Sequence, residues 1–240
     1  MIRQSLLLAA IFTVTMNVFA GEPSPIEDSN FFAESGRNRD DAVVQMNSFY
    51  LNGTAAWELT HEWALRDGSP RHQLSYTLPI FSEERSGFGD ATLNYRYQLV
   101  GDADSRIGVA PRASLILPTR STHFGTASSG LELALPVSIS FGEHLQSHTN
   151  TNATWFKDRG ETELKVTQNL TFAMHERFAF SVEAAYTHCV GGGELTVVRP
   201  GVQFSFAAPG GLTLSPGLAV PLGADGGLLF YLGVERSVSR

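Results

Sequence analysis

Asp90 to Leu99 reads D-A-T-L-N-Y-R-Y-Q-L. One face collects Ala91, Leu93, Tyr95, Tyr97 and Leu99. The other collects Asp90, Thr92, Asn94, Arg96 and Gln98. Strict alternation places every apolar side chain on one side of an extended strand. Gly130 to Phe141 repeats the pattern, with Leu131, Leu133, Leu135, Val137, Ile139 and Phe141 against Glu132, Ala134, Pro136, Ser138 and Ser140. The same period of two runs through Trp57–Leu65, Arg71–Ile80 and Phe178–Thr187.

Turn signals punctuate these runs: Asn52-Gly53, Asp67-Gly68-Ser69-Pro70, Gly101-Asp102, Gly191-Gly192-Gly193, Pro209-Gly210-Gly211 and Asp225-Gly226-Gly227. The spacing predicts about twelve strands, at 43–51, 55–65, 71–81, 90–100, 106–117, 130–141, 145–156, 162–173, 177–188, 195–207, 211–222 and 228–238. No capped helix interrupts them.

Two architectures share this alternation. In a soluble sandwich the apolar face is the core. In a transmembrane barrel it meets lipid, and the polar face lines the lumen. Several features favour the barrel. The strands are longer than the roughly 5–6 residues usual in soluble sheets, and their number is even. Trp57, Trp63, Tyr76, Trp155, Phe178, Tyr186 and Phe206 lie near strand ends, as an interfacial girdle requires. Closure also leaves no unpaired edge in lipid. The expected fold is all-β: a single antiparallel transmembrane barrel over residues 42–240.

Residues 1–20 carry Arg3, the apolar run Leu6–Phe12 and the small-residue ending Val18-Phe19-Ala20. They read as a cleaved secretory signal peptide. Residues 21–41 are polar and read as a flexible periplasmic segment. The chain is thus expected in the outer membrane of a Gram-negative cell.

Composition narrows the function. The 240 residues carry a net charge of -7, with 17 basic and 24 acidic side chains, which argues against a nucleic-acid binder. A single cysteine, Cys189, excludes an intrachain disulfide framework and a cysteine-rich zinc site. His144 and His148 on a strand stand about 13 Å apart, too far for one ion. No cofactor or metal is implied. The polar faces place Glu58, Glu62, Asp90, Glu132, Glu163, Glu183 and Glu235 in the lumen, opposite Arg71, Arg96, Arg106, Arg112, Lys165 and Arg199. This near balance fits a narrow channel with opposed charges, or a lumen cross-linked by them. Phe88, Arg120, His123 and Phe124 are candidates for the mouth, on segments 82–89 and 118–129.

The sequence also resembles the outer-membrane proteins of the meta-pathway of phenol degradation. The carrying residues are Ser86-Gly87-Phe88-Gly89-Asp90 leading into Leu93–Tyr97, Ala113–Thr119, Phe180–Tyr186 and Arg199–Gln203. Asp225, Gly227, Phe230 and Leu232 resemble the last-strand signal that the barrel-assembly machinery reads, although the chain runs on to Arg240. The resemblance implies a barrel that passes aromatic or other hydrophobic compounds, and it brings no catalytic residues. The expected partners are outer-membrane lipid, the assembly machinery and a small solute. Two alternatives stand: an outer-membrane lipid hydrolase, and a structural barrel without an open pore. For hydrolysis the candidates are Ser121, Ser128 or Ser129 with His123, or Ser147 with His148. None lies in a nucleophile elbow, and an enzyme is not expected.

Overall fold

The computed structural model describes residues 34–39, 42–51, 54–66, 69–82, 85–102, 105–124, 127–158, 160–175, 177–190, 195–208, 211–220 and 228–238. The expected signal peptide lies outside them. The strands are β1 (Ala42–Leu51), β2 (Thr54–Arg66), β3 (Ser69–Ser82), β4 (Ser86–Phe88), β5 (Ala91–Tyr97), β6 (Ile107–Val109) and β7 (Arg112–Leu117). They continue as β8 (Gly130–Ser140), β9 (Leu145–Phe156), β10 (Glu161–His175), β11 (Phe178–Val190), β12 (Leu195–Ala208), β13 (Leu212–Ala219) and β14 (Leu229–Val238). A 3-10 turn spans Thr122–Phe124.

Each strand pairs antiparallel with its neighbours, and β14 pairs with β1 from Ala42 opposite Val238 to Tyr50 opposite Phe230. The sheet therefore closes. Taking β4 with β5 and β6 with β7 as interrupted single staves, the barrel has twelve, as the alternation predicts. Each interruption faces a proline. Gly89-Asp90 lies opposite Pro79, whose carbonyl accepts the Gly89 N–H at 2.8 Å. Ala110-Pro111 lies opposite Pro136, whose carbonyl accepts the Ala110 N–H at 3.3 Å. A proline has no N–H to return, so the ladder breaks at each point.

Polarity decides between sandwich and barrel. The inward side chains include Gln73, Ser75, Asn94, Ser114, Ser138, His148, Asn150, Thr167, Asn169 and Gln203, all buried. Leu93, Leu115, Leu133, Leu135, Val182, Phe204, Leu218 and Phe230 are exposed on the outside. The buried apolar cluster is small: Ala219, Leu229 and Tyr231, with Phe49 against them. A water-soluble sheet with this distribution would bury its hydroxyls and amides and leave its leucines wet, the reverse of what the hydrophobic effect favours. Lipid around the barrel makes the arrangement favourable.

One polar row shows how the inside is organised. Glu62, Ser75, Asn94, Ser114, Glu132, Thr154 and Glu163 are successive cross-strand partners on β2, β3, β5, β7, β8, β9 and β10. The shared register puts all seven on the inner face.

This polarity yields a test. Leu133 is 46% exposed on the outer face of β8. Leu133→Arg in lipid vesicles is expected to lower the unfolding free energy by about 2–4 kcal/mol. Reversible guanidinium unfolding measures it. A change below about 0.5 kcal/mol would place Leu133 outside the lipid-facing band.

Candidate functional site

The inner wall encloses a cavity of about 390 Å³, and the chain ahead of β1 forms one side of it. Residues 34–39 are a strap inside the barrel. Arg37 is 2% exposed, and Ser35, Gly36 and Asn38 are buried with it. The flexible, solvated reading of 21–41 is therefore corrected for 34–39. Residues 21–33 lie outside the described residues.

Backbone and side chains both hold the strap. Gly36 N–H donates to Ser138 Oγ at 2.7 Å. Asn38 N–H donates to Gln98 Oε1 at 2.5 Å. Arg37 donates to the Ser105 carbonyl at 2.8 Å and to Ser140 Oγ at 2.8 Å. Arg39 pairs with Glu235 at 2.5 Å and donates to Ser237 Oγ at 2.7 Å. Glu34 reaches furthest in. It pairs with Arg96 at 3.0 Å and with Arg112, which also pairs with Glu132. Burial alone would raise the Glu34 carboxyl. Arg112 and Arg96 outweigh burial and hold it below the usual carboxylate range.

Gly36 permits this approach. A Cβ there would stand 2.4 Å from the Gly108 carbonyl oxygen and 2.6 Å from Ser138 N. Both are backbone atoms and cannot rotate away. Gly108 is equally tight, with a hypothetical Cβ 2.7 Å from the Gly36 carbonyl oxygen.

The sequence-predicted lumen residues separate into groups. Glu58, Glu62, Arg96, Arg112 and Lys165 line the central cavity together with Glu34, Arg39 and Glu235. Glu132 stands beside it, accepting from Thr154 Oγ1 at 3.1 Å. Glu183 is buried on the inner wall, where Asn169 Nδ2 donates to it at 3.1 Å. Glu163 is half-buried with Cys189 Sγ 3.9 Å away. Arg199 pairs in register with Ala185, and its side chain lies outside the described residues. Arg71 and Arg106 are exposed, and neither lines the central cavity.

Asp90 does not face an open channel either. It is buried and accepts from the Arg120 N–H at 3.1 Å, from the Arg120 guanidinium at 3.0 Å and from the Ser128 N–H at 3.4 Å. It anchors segment 118–129 at the end opposite the strap. Phe88 is exposed there, and the His123 ring contacts the Ser86 carbonyl at 3.2 Å. Phe124 ends the 3-10 turn, and its side chain lies outside the described residues.

Each hydrolytic candidate has a structural partner, although Ser121 Oγ and His123 Nε2 stand together, both within 3 Å of where a Cβ on Gly87 would lie. Ser121 Oγ accepts from the Phe88 N–H at 2.9 Å, and Ser129 Oγ donates to Asp158 at 2.9 Å. Ser147 and His148, adjacent on β9, face opposite sides of the wall. His148 contacts Ser138 Oγ at 2.7 Å instead, fully buried beneath the strap. Among the described residues, no three His, Cys, Asp or Glu side chains converge as a metal site.

The fold is that of an outer-membrane β-barrel of the porin type. No family model matches the chain, and no curated protein does. The KdgM porin superposes with a TM-score of 0.62 at 12% identity, over 82% of this chain and 99% of that one. An outer-membrane channel from Pseudomonas putida F1 gives 0.62 at 16% identity, over 86% and 98%. The CymD monoaromatic hydrocarbon channel gives 0.54 at 9% identity, over 84% and 90%. At these identities the likeness concerns the fold.

The strap is testable by proteolysis. Gly36→Val is expected to expel it and to speed tryptic cleavage after Arg37 by at least about tenfold, since cleavage follows local opening. Mass spectrometry of the cleaved ends reads the site. An unchanged rate would mean that the strap does not depend on this close approach.

Proposed function

We propose that the protein is a passive outer-membrane channel for a small solute, seen here in a conformation that the strap 34–39 closes. The supporting observation is the polar cavity in the lumen, bounded by a segment held through side chains and one backbone approach. Such a segment can leave without unzipping a strand pair.

The lumen favours a polar solute over a hydrophobic one. Val43 and Phe49 are the apolar side chains lining the cavity, and the others carry charge, hydroxyl or amide. A purely hydrophobic cargo, of the kind the family resemblance implies, finds little matching surface here beyond these two. The phenol-degradation family remains part of this proposal, as do residence in the outer membrane, lipid contact and delivery by the assembly machinery.

A second reading has its own observation. Arg112 joins Glu34 of the strap to Glu132 of the wall, and Arg96 joins Glu34 to Glu62 at 3.0 and 4.0 Å. A lumen laced in this way also suits a structural barrel without an open pore. Hydrolysis draws no comparable support.

Planar-bilayer recording separates the two. The whole mature protein is expected to show small, infrequent conductance steps, and Gly36→Val larger and more frequent ones. Heat-modifiable, inserted protein that stays silent in both forms would overturn the channel reading and leave the structural barrel.

A further inference from the structure

The cavity contains one carboxylate that none of its arginines meets. Four acids line it: Glu34, Glu58, Glu62 and Glu235. Three are met by guanidinium groups. Arg96 and Arg112 take Glu34, Arg96 also approaches Glu62 at 4.0 Å, and Arg39 holds Glu235 at 2.5 Å. The same pairs occupy the three arginines. Glu58 has neither a hydrogen bond nor an ion pair among the described residues. Lys165, on the wall of the same cavity, acts on it electrostatically.

The surroundings of Glu58 are specific. It pairs in register with Asn47, and Phe49 pairs with Ala56 two residues further along the same two strands. Glu58 and Phe49 are therefore diagonal neighbours on the inner face, about 7–8 Å apart at the backbone. The Phe49 ring packs on Tyr231 with centroids 5.5 Å apart, and Tyr231 Oη donates to Asn47 Oδ1 at 2.9 Å. Thr60 and Thr77, whose hydroxyls are 2.9 Å apart, line the same cavity.

We infer that Glu58 and Phe49 form a binding site for a small organic ammonium ion that carries a hydrocarbon or aromatic body. The carboxylate takes the ammonium group by a charge-assisted hydrogen bond. The Phe49 face packs the carbon skeleton. A cavity of about 390 Å³ is far larger than a bare metal ion and lies within the usual range for small-molecule sites. A lone carboxylate does not supply the several oxygens that calcium or magnesium needs. The inference names a solute class for the proposed channel and takes its biological sense from that reading. Its test measures binding and needs no current.

The whole protein, folded in detergent micelles and verified by heat-modifiability, is titrated calorimetrically with 2-phenylethylammonium chloride. The neutral analogue 2-phenylethanol serves as the matched control. The cation is expected to bind at least about tenfold more tightly, the smallest effect usual for a hydrogen bond to a charged group. Glu58→Gln removes the charge and is expected to bring the two probes to equal affinity. Glu58→Asp keeps the charge and should retain a preference for the cation. Phe49→Leu is expected to weaken both probes and leave their ratio unchanged. Equal binding of the two probes to the unaltered protein would overturn the inference, as would absence of cation binding. A preference that survives Glu58→Gln, or that Phe49→Leu abolishes, would also overturn it. Should Glu58→Gln not fold, the aspartate and leucine variants still decide. A protein that binds the cation but never conducts would keep this site and lose the channel.

Discussion

The whole structure rests on the closure of β14 onto β1. In lipid an unpaired N–H or C=O costs several kcal/mol, so a spanning sheet must have no edge. The seam runs nine residue pairs, from Ala42–Val238 to Tyr50–Phe230. The small apolar cluster of Ala219, Leu229 and Tyr231 with Phe49 lies along it. Closure fixes an inside and an outside, and every side chain then follows from the period of two. Most leucines, valines and aromatics turn outward, while amides, hydroxyls and charges turn inward, with Val43, Phe49, Leu229 and Tyr231 as inward exceptions at the seam.

An inside made of polar groups must satisfy them without bulk water. Rows of cross-strand partners provide much of this. Thr171 and Ser181 bond at 2.9 Å, Asn94 donates to Ser75 at 3.1 Å, and Ser205 meets Ser215 at 3.2 Å. The charged groups need stronger partners, and the strap supplies them. Glu34 neutralises two arginines from different strands, and Arg39 neutralises Glu235. The strap is thus a structural component of the lumen as well as an obstruction in it.

Most of the barrel was legible in the sequence because alternation is a local signal. Asp90–Leu99 and Gly130–Phe141 show it without reference to anything distant, and all twelve expected segments coincide with staves. The breaks within two staves were not legible. They depend on Pro79 and Pro136 facing Gly89 and Ala110 across the sheet, and register is not written in one strand alone. The strap was misread for a different reason. A solvated tail and a segment lodged in a polar lumen select the same residue types. Glu34, Arg37 and Arg39 look like surface charges until the wall that meets them is in place. Gly36 gave no signal either, since its value lies in its approach to Gly108.

The strap ends two residues ahead of β1, and β1 is one half of the closing seam. The barrel therefore shuts around its own leading segment. Glu34 already stands at the central cavity when the chain turns toward the barrel end. Anything fused just ahead of it starts from within the lumen, whereas Val238 lies at the barrel end, level with Ala42 at the start of β1. For protein chemistry the two termini are unequal attachment points: an affinity label or fluorophore belongs after the last strand.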